Sequence, residues 1–167
     1  MTTDPRPVLV GMCQPHAELE PLDPRPTGSA GWRLWRLLHD ACGASQDEYL
    51  RAFDRVNVMD GTEWCAREAK AQRARLWARL AGRTVVVLGA APLVALGWQA
   101  GPLGAWLGSP VLGPAVDGWA PVAHYTCAPH PSGRCREYNS PDVRRAVGKT
   151  LANLYHKWQQ ATEYEEA

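Results

Sequence analysis

The run Thr84-Val85-Val86-Val87-Leu88 holds no charge and stops at Gly89, the pattern of a strand buried on both faces of a sheet. Val8-Leu9-Val10-Gly11 repeats it in shorter form. Strands of this kind need a helical layer on each side, so the segments between them must supply helices. They do. Trp32, Leu34, Trp35, Leu37 and Leu38 recur at helical spacing until Gly43, and Gln46 to Ala52 reads as a second short helix. Phe53 to Met59 alternates as a strand and ends at the Asp60-Gly61 turn signal. An Ala/Arg-rich helical stretch then runs from Thr62 to Leu80, and a short helix follows Pro92.

Segment 97–118, rich in Gly, Pro and Trp, is expected to be irregular. Val122 to Thr126 reads as a last strand, and Ser140-Pro141-Asp142 opens a C-terminal helix to about Gln160, with a frayed acidic tail beyond it. The expectation is a single domain over 1–167 with the α/β class, a three-layer α/β/α sandwich around a mainly parallel four-stranded sheet. Ligands of such sheets bind beyond the C-terminal strand ends. The loops that matter are therefore 11–29, 57–62, 89–92 and 127–139. The first of these carries Pro15, Pro21, Pro24 and Pro26, stiff enough to form a shaped wall.

Composition narrows the function classes. Five cysteines, an odd number with no CxxC pair, argue against a disulfide framework and for reduced thiols. The start MTTDPRP has no basic region followed by an apolar run, and no stretch is long and apolar enough for a membrane helix. The chain is read as cytoplasmic, without a membrane partner, and as a monomer. A net charge of +1 means that a nucleic-acid partner must be met by a local basic patch. Cys127, His130 and Cys135, with Cys13 as a fourth, match no common zinc spacing, and no metal or other cofactor is expected.

The segment His130-Pro131-Ser132-Gly133-Arg134-Cys135-Arg136-Glu137-Tyr138-Asn139, between a strand and a capped helix, fixes its backbone with Pro and Gly while presenting His, Ser, Arg and Asn. HPSG after the last strand resembles the second signature motif of the uracil-DNA glycosylase superfamily. Gly11-Met12-Cys13-Gln14-Pro15-His16 is similar to that superfamily's first motif, a glycine-ended strand followed by a short polar loop with proline. Gly31-Trp32-Arg33-Leu34-Trp35 is similar to the helix start of its mismatch-specific branch, and Asn57 occupies the place from which members read the base edge.

The resemblance implies an enzyme that extrudes a pyrimidine and hydrolyses its N-glycosidic bond. Asn57 would read the base, since an amide donates and accepts at once. Alternatively, it is a turn former bonded to its own backbone. His130 would donate to the departing base, or else cap its own loop. Met12, Trp32 and Ser132 would line the base pocket, while Ser132, Gly133, Arg134 and Arg136 would meet the DNA backbone; Arg134 stands where the family usually has an apolar wedge. Water activation would fall to Gln14, Cys13 or His16 in place of the family's Asp, Asn or Glu, or to Glu20 or Asp23. Cys13 would instead serve as a nucleophile, or else be inert packing. The partner would be DNA, single- or double-stranded, or a nucleobase or nucleotide. A base-binding module without hydrolysis and a base-modifying enzyme on the same scaffold stand as alternatives.

Overall fold

The computed structural model describes residues 5–14, 18–110 and 122–165. In chain order the elements are β1 (Val8–Gly11), α1 (Ala30–Cys42), α2 (Gln46–Ala52), β2 (Asp54–Asn57), α3 (Ala66–Ala71), α4 (Arg73–Leu80), β3 (Thr84–Leu88), α5 (Ala90–Leu96), β4 (Leu107–Pro110), β5 (Val122–Ala128) and α6 (Pro141–Glu165). The sheet has the order β2-β1-β3-β5-β4. β1 runs parallel to β2 and β3, β3 runs parallel to β5, and β4 is antiparallel at the edge. The α/β/α sandwich is as expected, but the sheet has five strands rather than four.

Period-two alternation sends the central strands into two cores. Val8, Val10, Val85 and Val87 pack against Leu76, Leu80, Leu93 and Leu96 of α4 and α5. Leu9, Val86 and Leu88 pack on the opposite face against Leu34, Leu38, Val147 and Leu151 of α1 and α6. All four β1 residues are buried, which is why that strand has no polar position.

Local signals set the helix boundaries. Ser29 caps α1 by accepting from the Trp32 backbone N–H, and Gly43 closes it in the left-handed conformation at φ 78°. Ser45 and Glu48 form a reciprocal capping box on α2.

Four further expectations are corrected. Segment 97–118 is not wholly irregular, because Leu107–Pro110 forms the edge strand β4; residues 111–121 lie outside the described residues. The stretch from Thr62 to Leu80 is two helices that meet at Gln72 and begin only after Cys65, an N-cap without a side-chain bond. The short helix near Pro92 starts at Ala90, and α6 continues past Gln160 to Glu165, so the tail is helical that far. Among the described residues no helix is long and apolar enough to cross a membrane.

α1 and α6 approach so closely that a Cβ built on Gly148 of α6 would stand 2.9 Å from the Leu37 carbonyl oxygen of α1. In an exposed helix interior, Gly→Ala stabilises by about 1 kcal/mol. Here the sign is reversed: Gly148→Ala is expected to lower stability by about 1–3 kcal/mol, the usual range for overpacking, as measured by urea unfolding.

Candidate functional site

β1 lies between β2 and β3; the connection from β1 to β2 through α1 and α2 covers one face of the sheet and that from β2 to β3 through α3 and α4 covers the other, so a crevice opens beyond the strand ends at that switch. A cavity of about 430 Å³ occupies it. Its walls are Met12, Cys13 and Gln14 after β1, Asn57 and Thr62 at and after β2, parts of segments 19–23 and 28–31, and His130, Ser132 and Gly133 after β5. Asn57 and His130, 73 positions apart in the chain, therefore line one space.

The floor is a buried pair of amides. Parallel register puts Gly11 beside Asn57, and a Cβ on Gly11 would come within 2.5 Å of Asn57 Oδ1. Glycine at the end of β1 thus allows the Asn57 side chain to lie across the strand terminus. Asn57 Nδ2 donates to Gln14 Oε1 at 2.7 Å. Gln14 Nε2 donates in turn to the Leu19 carbonyl oxygen, and the Gln14 backbone N–H donates to the Gly61 carbonyl oxygen at 3.1 Å. Gln14 is held at three points. Asn57 keeps its second amide hydrogen and its carbonyl oxygen unbonded among the described residues, so a ligand can still be offered both a donor and an acceptor.

His130 enters from the opposite wall. Gly89, at φ 98°, follows β3, donates its N–H to the Ala128 carbonyl oxygen at 2.8 Å, and would meet His130 Cβ at 3.0 Å if it carried a Cβ of its own. Only glycine suits both that backbone angle and that contact. Tyr138 holds the loop from the other side by donating its hydroxyl to the Pro129 carbonyl oxygen at 2.8 Å. No described residue bonds to either ring nitrogen of His130, and burial lowers its pKa below the usual histidine value. At neutral pH the ring is uncharged, with one nitrogen to donate and one to accept.

The remaining expected residues divide. Met12, Ser132 and Gly133 are in the wall, the last two exposed toward a neighbouring groove as well. Cys13 also lines the cavity, its thiol directed at the Thr62 carbonyl oxygen at 3.7 Å. Burial raises its pKa. A thiol that stays protonated is a poor nucleophile. His16 lies outside the described residues.

Trp32 does not line the cavity. It faces the adjoining groove, where its ring packs edge-on against Trp35 and under the Arg36 guanidinium. At the start of α1 the cavity side is taken by Ala30 and Gly31. Arg134 is exposed on the loop beyond Gly133, and Arg136 is exposed at the start of a short 3-10 helix, Arg136–Asn139.

Two carboxylates from the long loop stand in the wall. Asp23 is buried, and hydrogen bonding from Arg25 holds its pKa below the usual carboxylate range. Arg25 Nε reaches both of its oxygens, at 2.8 and 3.0 Å. Glu20 is exposed and pairs with Arg55 at 3.2 Å. Leu22, between them, was not expected in the site. It adopts φ 52°, and its carbonyl oxygen accepts from the buried Tyr49 hydroxyl at 3.2 Å. Nothing local in the sequence marks it, because the contact comes from α2. Among the described residues no group of three His, Cys, Asp or Glu side chains is placed to hold a metal ion.

His130 carries a testable pH dependence. Its folded-state pKa lies below the unfolded value of about 6.5, so the unfolded chain binds more protons and stability falls as pH drops through and below that value. A proton-exchange titration followed by NMR is expected to place the His130 midpoint below 6.5, and between pH 7.5 and 5 His130→Gln should lose less melting temperature than the parent chain. Comparison of the chain with protein-family models, with curated proteins and with solved structures finds no match.

Proposed function

We propose that the cavity receives an extruded or free pyrimidine base and that the protein is a DNA glycosylase-like enzyme that hydrolyses the N-glycosidic bond. The observation that carries this reading is that the Asn57 amide and the uncharged His130 imidazole open on one cavity at the sheet's switch point. Its volume of about 430 Å³ lies within the common range for small-ligand sites, about 300–1,000 Å³.

A pyrimidine edge presents a carbonyl beside a ring N–H, which the free hydrogen and the carbonyl oxygen of Asn57 complement. As the glycosidic bond breaks, negative charge moves onto the base oxygens. A neutral imidazole donor aimed there binds the transition state more tightly than the ground state. Asp23 is engaged by Arg25 through both oxygens, so among these two carboxylates Glu20 is the better placed to take a proton from the attacking water. Ser132 and Gly133 border the exit through which the sugar-phosphate chain would leave.

One observation favours the second reading, a base-binding module without hydrolysis. Gln14, at the place where the enzymes whose motif it resembles orient water, spends its amide on Asn57 and Leu19.

An excision assay separates the two. Oligonucleotides carrying uracil, hydroxymethyluracil or other altered pyrimidines are incubated with the protein and scored for alkali-labile abasic sites. The enzyme reading expects abasic sites with the parent chain, a loss of about 10²–10³-fold in kcat for His130→Ala, and a loss of about 10²-fold or more for Glu20→Gln. Asn57→Ala is expected to abolish discrimination among the bases. Base binding without abasic sites on any substrate would overturn hydrolysis and leave the binding module.

A further inference from the structure

The cavity does not stand alone. Ser132 and Gly133 separate it from a groove beside Trp32, Arg33 and Arg36. That groove shares Leu37, Asp40 and Arg144 with a further depression. This one shares Lys149, Asn153 and His156 with a last depression, which ends at Trp106. The first two of these hollows follow the seam between α1 and α6, and the last lies across α6, between that helix and residues 104–106.

Their charge is one-sided. Arg33, Arg36, Arg144, Arg145, Lys149 and Lys157 line them, against Asp40 as the one carboxylate among the described lining residues. Arg36 pairs with Asp40 at 3.3 Å and Arg145 with Asp142 at 2.9 Å. The other four have no carboxylate partner among the described residues: Arg33 and Arg144 donate to the backbone carbonyls of Gly28 and Tyr138, and both lysines are exposed. In a chain of net charge +1 this is a local patch, not the overspill of a basic protein. Aromatic rings accompany the cations. Trp32 lies at the cavity end, and Trp106, 46% exposed, lies at the far end.

We propose that this line of hollows is a binding track for single-stranded DNA that continues from a nucleotide seated in the cavity. The inference deepens the function proposed above and rests on it for the nucleotide in the cavity. From Arg144 to Lys157 α6 rises about 20 Å, room for several phosphates. Cations set in hollows with a ring at each end suit a flexible strand, whose phosphates and unstacked bases are both within reach. A duplex, whose bases are paired and stacked, would leave Trp106 without a role.

The test is fluorescence anisotropy with a labelled oligothymidylate of about a dozen nucleotides, within the usual range of single-strand sites, and with its duplex, over a range of salt. The single strand is expected to bind more tightly than the duplex. Lys149→Gln with Lys157→Gln should flatten the salt dependence, lowering the log–log slope by about 0.7 for each lysine removed. Trp106→Ala should weaken binding about tenfold, as for one lost stacked base. All are exposed positions, and an unchanged circular-dichroism melt confirms folding. No binding by the parent chain, preference for the duplex, or variants that bind as the parent does would overturn the track. The excision assay reads the cavity and this titration reads the line of hollows. Excision with parent-like variants of the hollows would sink the track alone, whereas track-dependent binding without excision would sink hydrolysis alone.

Discussion

The buried hydrogen bond from Asn57 to Gln14 fixes the polar floor of the cavity, on which the rest of the site is built. It spans two adjacent strand ends, and it forms because parallel register brings Gly11 opposite Asn57 with no Cβ in between. A buried amide without partners costs about 1–3 kcal/mol, so the pair holds the loop after β1 against the end of β2. Met59 and Val58 reinforce this by donating their backbone N–H groups to the carbonyl oxygens of Met12 and Gly11 at 2.9 and 3.0 Å. The polar floor is thus anchored to the most deeply buried part of the sheet.

The opposite wall depends on a different device. Gly89 leaves β3 in a conformation closed to other residues and lets the β5 loop come down on the strand end, which carries His130 over the floor. Burial keeps the ring uncharged, and Tyr138 keeps its loop in place. The cavity is therefore bounded by two polar groups on rigid supports, with the long loop from Leu19 to Ser29 closing the remaining side. Preorganisation of this kind lets a site favour a transition state without moving to do so.

Much of this was legible in the chain, for physical reasons. β1 and β3 announce themselves because a strand buried on both faces admits no charged position, and Asn57 and His130 stand out as polar residues at or just after the ends of two further strands, β2 and β5. The edge strand Leu107–Pro110 was not legible. It pairs on one side only, with β5, and so needs no apolar run. Trp32 was misplaced because helical spacing tells which residues share a face but not which hollow that face borders. The bond between Gln14 and Asn57 joins residues 43 positions apart, and no local pattern can carry a contact that depends on strand register.

The central claim is that Asn57 and His130 act on one planar heterocycle. Its most direct test is a titration of the protein with a free pyrimidine base, followed by NMR at the Asn57 side-chain amide and the His130 imidazole. The account predicts that both sets of signals move together along one saturating isotherm. Signals that stay fixed, or that move with different affinities, would contradict it.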